Sequence, residues 1–138
     1  FENNPMLYRK EWLDYFHREG VPVMAYKPLQ RGGPVLSCAT VAAIAQRTGK
    51  SPAQVCLRWN LQKGNAVTVK SLRPERLAEN VHVFDFELQP EDMAALDALT
   101  TEEVVAEALS HWEERRKGTP APWGDSLRPE KREPKLVE

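Results

Sequence analysis

Residues 67–80 limit what this chain can fold into more than any other stretch. They read Val-Thr-Val-Lys-Ser-Leu-Arg-Pro-Glu-Arg-Leu-Ala-Glu-Asn. The β-branched start suits a strand. Pro74 suits the first position of a helix, where its missing N–H costs nothing, and Glu75 in the first turn complements the helix dipole. Between strand and helix stand Lys70, Ser71 and Arg73, with Arg76 one turn in. Three cations and a hydroxyl beside the N–H groups of a helix start have the chemistry of a phosphate site. Glu79 and Asn80 follow Arg76 by three and four positions and share its helix face. The same spacing describes an ordinary solvated helix start, and on spacing alone that plainer reading stands slightly ahead.

The rest of the chain alternates helical and strand-like segments. Residues 8–19 form a helix by pattern, with Trp12, Leu13 and Phe16 on its apolar face and Gly20 at its stop. Residues 21–26 are a short apolar run of the kind buried in a parallel sheet, and residues 30–34 are a loop by composition. Ser37 is placed to cap a helix running to Thr48, with Val41, Ile44 and Ala45 inward and Gly49 past its end. Ser51-Pro52-Ala53-Gln54 is a capping box. It opens a helix that buries Ala53, Cys56, Leu57 and Trp59 and uses Arg58 for a structural contact. Residues 66–69 are the next strand. Phe84, Phe86 and Leu88 alternate like an extended segment on a core, and His82 packs rather than titrates. Residues 90–99 are a short helix carrying Met93 and Leu96. Thr100 and Glu103 have capping-box spacing for a last helix, whose face is Val105, Leu109 and Trp112. Residues 118–138 are rich in Pro and charge, with Trp123 as their large aromatic, and should be extended or disordered unless something docks them.

Composition excludes several classes. The 138 residues suit one domain at most. A formal charge of −1 offers no field for nucleic acid or membrane. No apolar run approaches the roughly 20 residues of a membrane helix. Cys38 and Cys56 are too few for a disulfide framework or a zinc site. No signal peptide is visible, so a cytoplasmic, reduced protein is the expectation.

The segment Lys70-Ser-x-x-Pro-Glu-Arg-x-x-Glu-Asn80 resembles the one after the eighth strand of aldo-keto reductases. The likeness continues into residues 83–88 and 90–93. Upstream it runs through residues 51–59 and Ala25-Tyr-Lys-Pro-Leu29 to the first residues, Glu2-Asn-Asn-Pro-Met-Leu7. It implies an α/β fold, the C-terminal part of a (β/α)8 TIM barrel that is incomplete in this chain, since such barrels run to about 250 residues. Residues 1–99 would be the barrel part, running from the end of the sixth strand through the eighth unit. Residues 100–117 would be a C-terminal helix and residues 118–138 a tail. A chain that starts on Phe1 then looks like part of a longer protein.

The family reduces aldehydes or ketones with NADPH, and the cofactor carries the hydride. By resemblance, Tyr26 stacks on the nicotinamide, and Leu29 and Arg31 lie in the loop over the pyrophosphate. Lys70, Ser71 and Arg76 hold the 2′-phosphate, and Glu79 and Asn80 sit at the adenine. Arg73 either adds charge at the phosphate or points into solvent, and both readings stand. Lys27 departs from the Ser that many relatives carry. The family's Tyr, Lys, Asp and His proton-donor group has no match in this chain, so no catalytic residue is assigned. The partners implied are a small carbonyl substrate and either the missing N-terminal barrel half or a second copy. The competing classes are a non-catalytic half-barrel interaction module and a nucleotide-sensing regulatory subunit.

Overall fold

The computed structural model describes residues 1–107 and 110. Phe1–Val105 form one compact unit. The end of the last expected helix, with Leu109, Trp112 and the 118–138 tail, lies outside the described residues.

The elements of this unit follow the sequence pattern. They are α1 (Lys10–Arg18), β1 (Met24–Ala25), a 3₁₀ turn (Pro34–Ser37), α2 (Ala39–Thr48), α3 (Pro52–Gln62), β2 (Ala66–Val67), α4 (Pro74–Val81) and α5 (Pro90–Asp97). β1 and β2 pair in parallel, Met24 with Ala66 and Ala25 with Val67. Glu2 forms a parallel bridge to Tyr26 on the other side of β1, with Tyr26 N donating to Phe1 O at 3.0 Å. Three extended segments therefore run side by side in the same direction, joined by helical crossovers, as parallel neighbours require. The regular strands are shorter than the sequence runs because these neighbours pair over only a few residues.

Burial alternates across this ribbon. Val23 and Ala25 are buried, whereas Met24 is 59 % and Tyr26 40 % exposed, and Ala66 and Thr68 are exposed with them. One face lies on the helices and the other is open. β2 also has an open edge. Ala66 and Thr68 donate to Val23 O and Ala25 O (2.9 and 3.0 Å), so Val67 between them turns its N–H to the far side. No strand lies there among the described residues.

The core is where α2, α3 and α5 meet the 3₁₀ turn. Val35, Val41, Ile44, Ala45, Val55, Cys56, Trp59, Leu88 and Leu96 are buried together. The capping box at Ser51 forms, with Gln54 N donating to Ser51 Oγ (3.2 Å) and Ser51 N to Gln54 Oε1 (3.0 Å). Gly49 takes φ +65°, the left-handed stop that glycine accepts without strain. Burial pushes the Cys56 thiol up to about 12, with Cys38 adding to the shift. Cys56 is therefore protonated packing and not a nucleophile.

Several sequence expectations are corrected. Ser37 does not cap α2. It belongs to the 3₁₀ turn and donates to Pro34 O, and Cys38 holds the cap position without a side-chain bond. Thr100 does not cap the last helix, because its hydroxyl accepts from Tyr8 N (2.7 Å) and donates to Pro5 O (3.0 Å). Thr101 caps instead, accepting from Val104 N (3.3 Å). Ala53 is half-buried, and Gln54 and Val55 are buried in its place. Phe84 is 73 % exposed. The turn after α4, in which Val83 N donates to Val81 O (2.9 Å), sends Val83 inward instead. His82 is exposed, with Nδ1 2.8 Å from Ala78 O. On α1 only Leu13 is buried. Trp12 and Tyr15 are exposed and cluster with Phe16 at 5.6–6.2 Å between ring centroids. Phe1 meets Phe16 from the first segment (6.2 Å between ring centroids), and Trp12 and Tyr15 stay largely open.

A polar bracket ties α5 to α3. Asp97 accepts from Trp59 Nε1 (2.8 Å) and pairs with Lys63 Nζ (2.6 Å). The Lys63 ammonium lies 4.7 Å from the Tyr8 ring centroid. Asp97→Ala should cost about 1.5–3 kcal/mol, because an indole N–H and an ammonium lose a charged acceptor together. Asp97→Asn, which keeps an acceptor for Trp59, should recover part of the loss. Urea unfolding of the complete protein followed by tryptophan fluorescence measures both.

Candidate functional site

The parallel register sets the geometry of the site. Tyr26 follows β1 and Thr68 follows β2, and Thr68 N donates to Ala25 O. Both following loops therefore leave the same end of the strand pair. The structure brings the two groups of expected site residues, 26–31 and 70–80, to that one end.

In the first loop, Tyr26 keeps its ring partly exposed. Lys27, Gln30 and Arg31 have φ of +50°, +47° and +58°, left-handed values that non-glycine residues seldom adopt. Gln30 Oε1 accepts from Val35 N (2.9 Å), which ties the loop to the 3₁₀ turn. Leu29 is half-buried and packs on the core, so its side chain anchors the loop. Arg31 is exposed.

In the second loop, Ser71 Oγ accepts from Arg73 N (3.1 Å), which shapes the corner before α4. Arg73 is the N-cap residue, with extended backbone and no side-chain cap. Pro74 has no N–H, and Arg76 N and Leu77 N both donate to Arg73 O (3.1 Å each). Of the first three helical residues, only Glu75 keeps a free backbone N–H. The sequence reading of several helix-start N–H groups narrows to one, and side-chain charge has to carry an anion site here. Lys70, Arg73 and Arg76 are exposed, and Glu79 and Asn80 are half-buried.

The pairing of the cations is selective. Lys10, Arg18, Lys27, Arg47, Lys50, Arg58 and Lys63 all form ion pairs. Arg31, Lys70, Arg73 and Arg76 have no carboxylate partner among the described residues, and Arg9 alone shares that state. The four cations at this end are thus left unneutralised, next to a hydroxyl and a partly exposed aromatic ring. That donor set fits a multiply charged phosphate attached to a planar group.

The helix carrying Arg76 has no buried residue. Gln54 of α3 holds it. Its Nε2 donates to Glu79 O (3.1 Å) and His82 O (2.8 Å), while its Oε1 serves the capping box of its own helix. Arg58 adds a bond to Val83 O (3.2 Å) and lies within 3.3 Å of Glu87 Oε1, the structural contact expected of it. Sequence alone reads Gln54 as a cap. Its second role depends on a contact 25 residues away that no local signal carries.

The model of the aldo/keto reductase family matches residues 2–101. The chain belongs to that family. It is 42 % identical over 104 residues to the glyoxal reductase of Bacillus subtilis, covering 75 % of this chain and 37 % of that one. It is 49 % identical over 98 residues to an aldo-keto reductase of Mycobacterium tuberculosis, covering 71 % and 34 %. A mutant of Gox0644 in complex with NADPH superposes with a TM-score of 0.71 at 34 % identity, covering 75 % of this chain and 38 % of that one. An aldo/keto reductase from Brucella melitensis gives 0.66 at 35 %, covering 71 % and 37 %. The chain spans little more than a third of the length of these relatives.

Gln54→Ala in the complete protein should loosen α4 while leaving the core intact. It removes two bonds to helix-end carbonyls and one side of a capping box, each worth about 1 kcal/mol. Hydrogen exchange should rise across residues 74–82 and stay unchanged in α2.

Proposed function

We propose that this chain is the C-terminal portion of an NADPH-dependent aldo-keto reductase, an oxidoreductase that in its complete form reduces aldehydes or ketones to alcohols. Its residues would complete a (β/α)8 barrel from the end of the sixth strand onward. The observation that carries the reading is the set of unpaired cations, Arg31, Lys70, Arg73 and Arg76, at the strand end that also presents Tyr26. A phosphate near two negative charges rewards an Arg fork and a Lys together.

The residues divide the work by position. Lys70, Ser71 and Arg76 bind the 2′-phosphate, Arg73 adds charge beside it, and Glu79 and Asn80 face the adenine. Arg31 reaches the pyrophosphate from a loop that Leu29 anchors, and Tyr26 supports the nicotinamide. NADPH, when bound, supplies the hydride. The proton donor belongs to the part of the barrel that precedes this stretch in the relatives, so this chain holds cofactor and leaves the carbonyl chemistry to residues outside it. The cellular compartment that suits a reduced Cys38 and Cys56 is the cytoplasm.

In the complete protein, Lys70→Ala or Arg76→Ala should weaken NADPH binding about ten-fold or more and NADH binding far less, since each removes a charge-assisted bond of about 1.5–3 kcal/mol. Titration of both cofactors by fluorescence quenching measures this, and equal losses would mean that these residues do not read the 2′-phosphate.

The 138 residues on their own should neither oxidise NADPH with 4-nitrobenzaldehyde nor remain monomeric. The open face of the strand pair and the open edge of β2 favour self-association or capture of the complementary barrel strands. Light scattering with an aldehyde assay tests both statements. A compact monomer with turnover would place the chemistry inside this chain.

A further inference from the structure

We infer that Lys27, held by Glu2, biases the nicotinamide end of the site toward the reduced cofactor. The inference rests on the reading that Tyr26 faces the nicotinamide. Lys27 follows Tyr26 in a left-handed conformation, and its side chain reaches both the Tyr26 ring and Glu2. Its Nζ lies 5.2 Å from the Tyr26 ring centroid and 2.7 Å from Glu2 Oε2. The side chain is only 15 % exposed, so this is no freely solvated surface lysine.

Glu2 is the bridge partner of Tyr26 on the neighbouring extended segment. The carboxylate that pins the ammonium therefore comes from a second chain segment, and a non-glycine residue persists at positive φ where its surroundings over-determine it. A cation over an aromatic ring is held by the ring's negative face. With that face occupied, a planar group stacks on the other.

The two redox forms of a nicotinamide differ by one charge. The dihydropyridine ring of NADPH is neutral and the pyridinium ring of NADP⁺ is cationic. A fixed ammonium across the tyrosine ring leaves the neutral form unaffected. It opposes the cationic form, both by direct repulsion and by competing for the same ring electrons. Glu2 offsets part of this repulsion. The sign of each substitution follows from charge alone. Removing the ammonium leaves the carboxylate unopposed and favours the cation, and removing the carboxylate does the reverse.

The test is binding of NADPH, NADP⁺ and 2′,5′-ADP to the complete protein, by fluorescence quenching or calorimetry. Lys27→Met should lower the ratio Kd(NADP⁺)/Kd(NADPH) by about three-fold, the scale of a cation–π contact. Glu2→Gln should raise it, and Lys27→Arg should keep the wild-type ratio. Binding of 2′,5′-ADP, which lacks nicotinamide, should not change. An unchanged ratio in both Lys27→Met and Glu2→Gln overturns the inference, as does an equal shift in Lys27→Arg. Where Lys27→Met fails to fold, the Glu2→Gln ratio decides alone. Tyr26→Ala separates the two levels. If it weakens both cofactors and spares 2′,5′-ADP while the Lys27 ratio stays flat, the stacking reading stands and the Lys27 inference falls. If Tyr26→Ala changes neither cofactor, the stacking reading itself falls.

Discussion

One amide side chain fastens α4 to the rest of this structure. Gln54 closes the capping box that starts α3 and, with its remaining two donors, grips the C-terminal end of α4. No apolar residue of α4 is buried, so that helix lacks the packing that stabilises most helices in proteins. Its position depends on these bonds and on Arg58 beneath the following turn. Hydrogen bonds are directional where packing is not, and a helix held this way keeps its orientation while Glu75 and Arg76 stay exposed. The arrangement suits the proposed role of α4, to present Arg76 and the residues beside it.

The contrast between paired and unpaired cations has the same logic. Lys50, Arg58 and Lys63 lie against carboxylates and fasten elements to one another. At the strand end, the nearest acidic residue in sequence, Glu75, sits in the first turn of α4 and makes no ion pair among the described residues. Unneutralised like charges repel, which is a standing cost that a bound polyanion removes. Such a corner gains stability from its ligand by simple linkage. The Glu2–Lys27 pair differs, because it is satisfied within the chain and acts on the aromatic ring beside it.

Local signals made most of the framework legible in the sequence. The Ser51 capping box, the glycine stop at Gly49 and the inward set Val41, Ile44 and Ala45 need only nearest neighbours, and they appear as expected. The parallel pairing of the two apolar runs follows from their length and the helices between them. Errors arose where a side chain finds a distant partner. Thr100 has capping spacing, but Tyr8 and Pro5, more than 90 residues away, take its hydroxyl. Phe84 has the right parity for the core, but a tight turn shifts the register and Val83 enters. The residues of the proposed cofactor corner were legible as types and spacing. Their lack of carboxylate partners, which supports the proposed site, is a tertiary property that no window of sequence contains.

The open edge of β2 also bears on the order of folding. A strand that pairs there in parallel cannot arrive through a hairpin, because parallel neighbours need a long crossover. In a ring of strands, the partner of the last comes from the opposite end of the polypeptide. Many contacts inside this chain are shorter in range by comparison, helix against the next helix, although Thr100 reaches back to Tyr8 and Pro5. The shorter ones can form early, whereas in the proposed barrel ring closure would carry the loop entropy of nearly the whole molecule and set the slow phase. Until that phase is complete, Val67 offers an unpaired N–H beside an exposed apolar face. A protein built this way is most open to misassembly late in its folding, when its helical core is already in place.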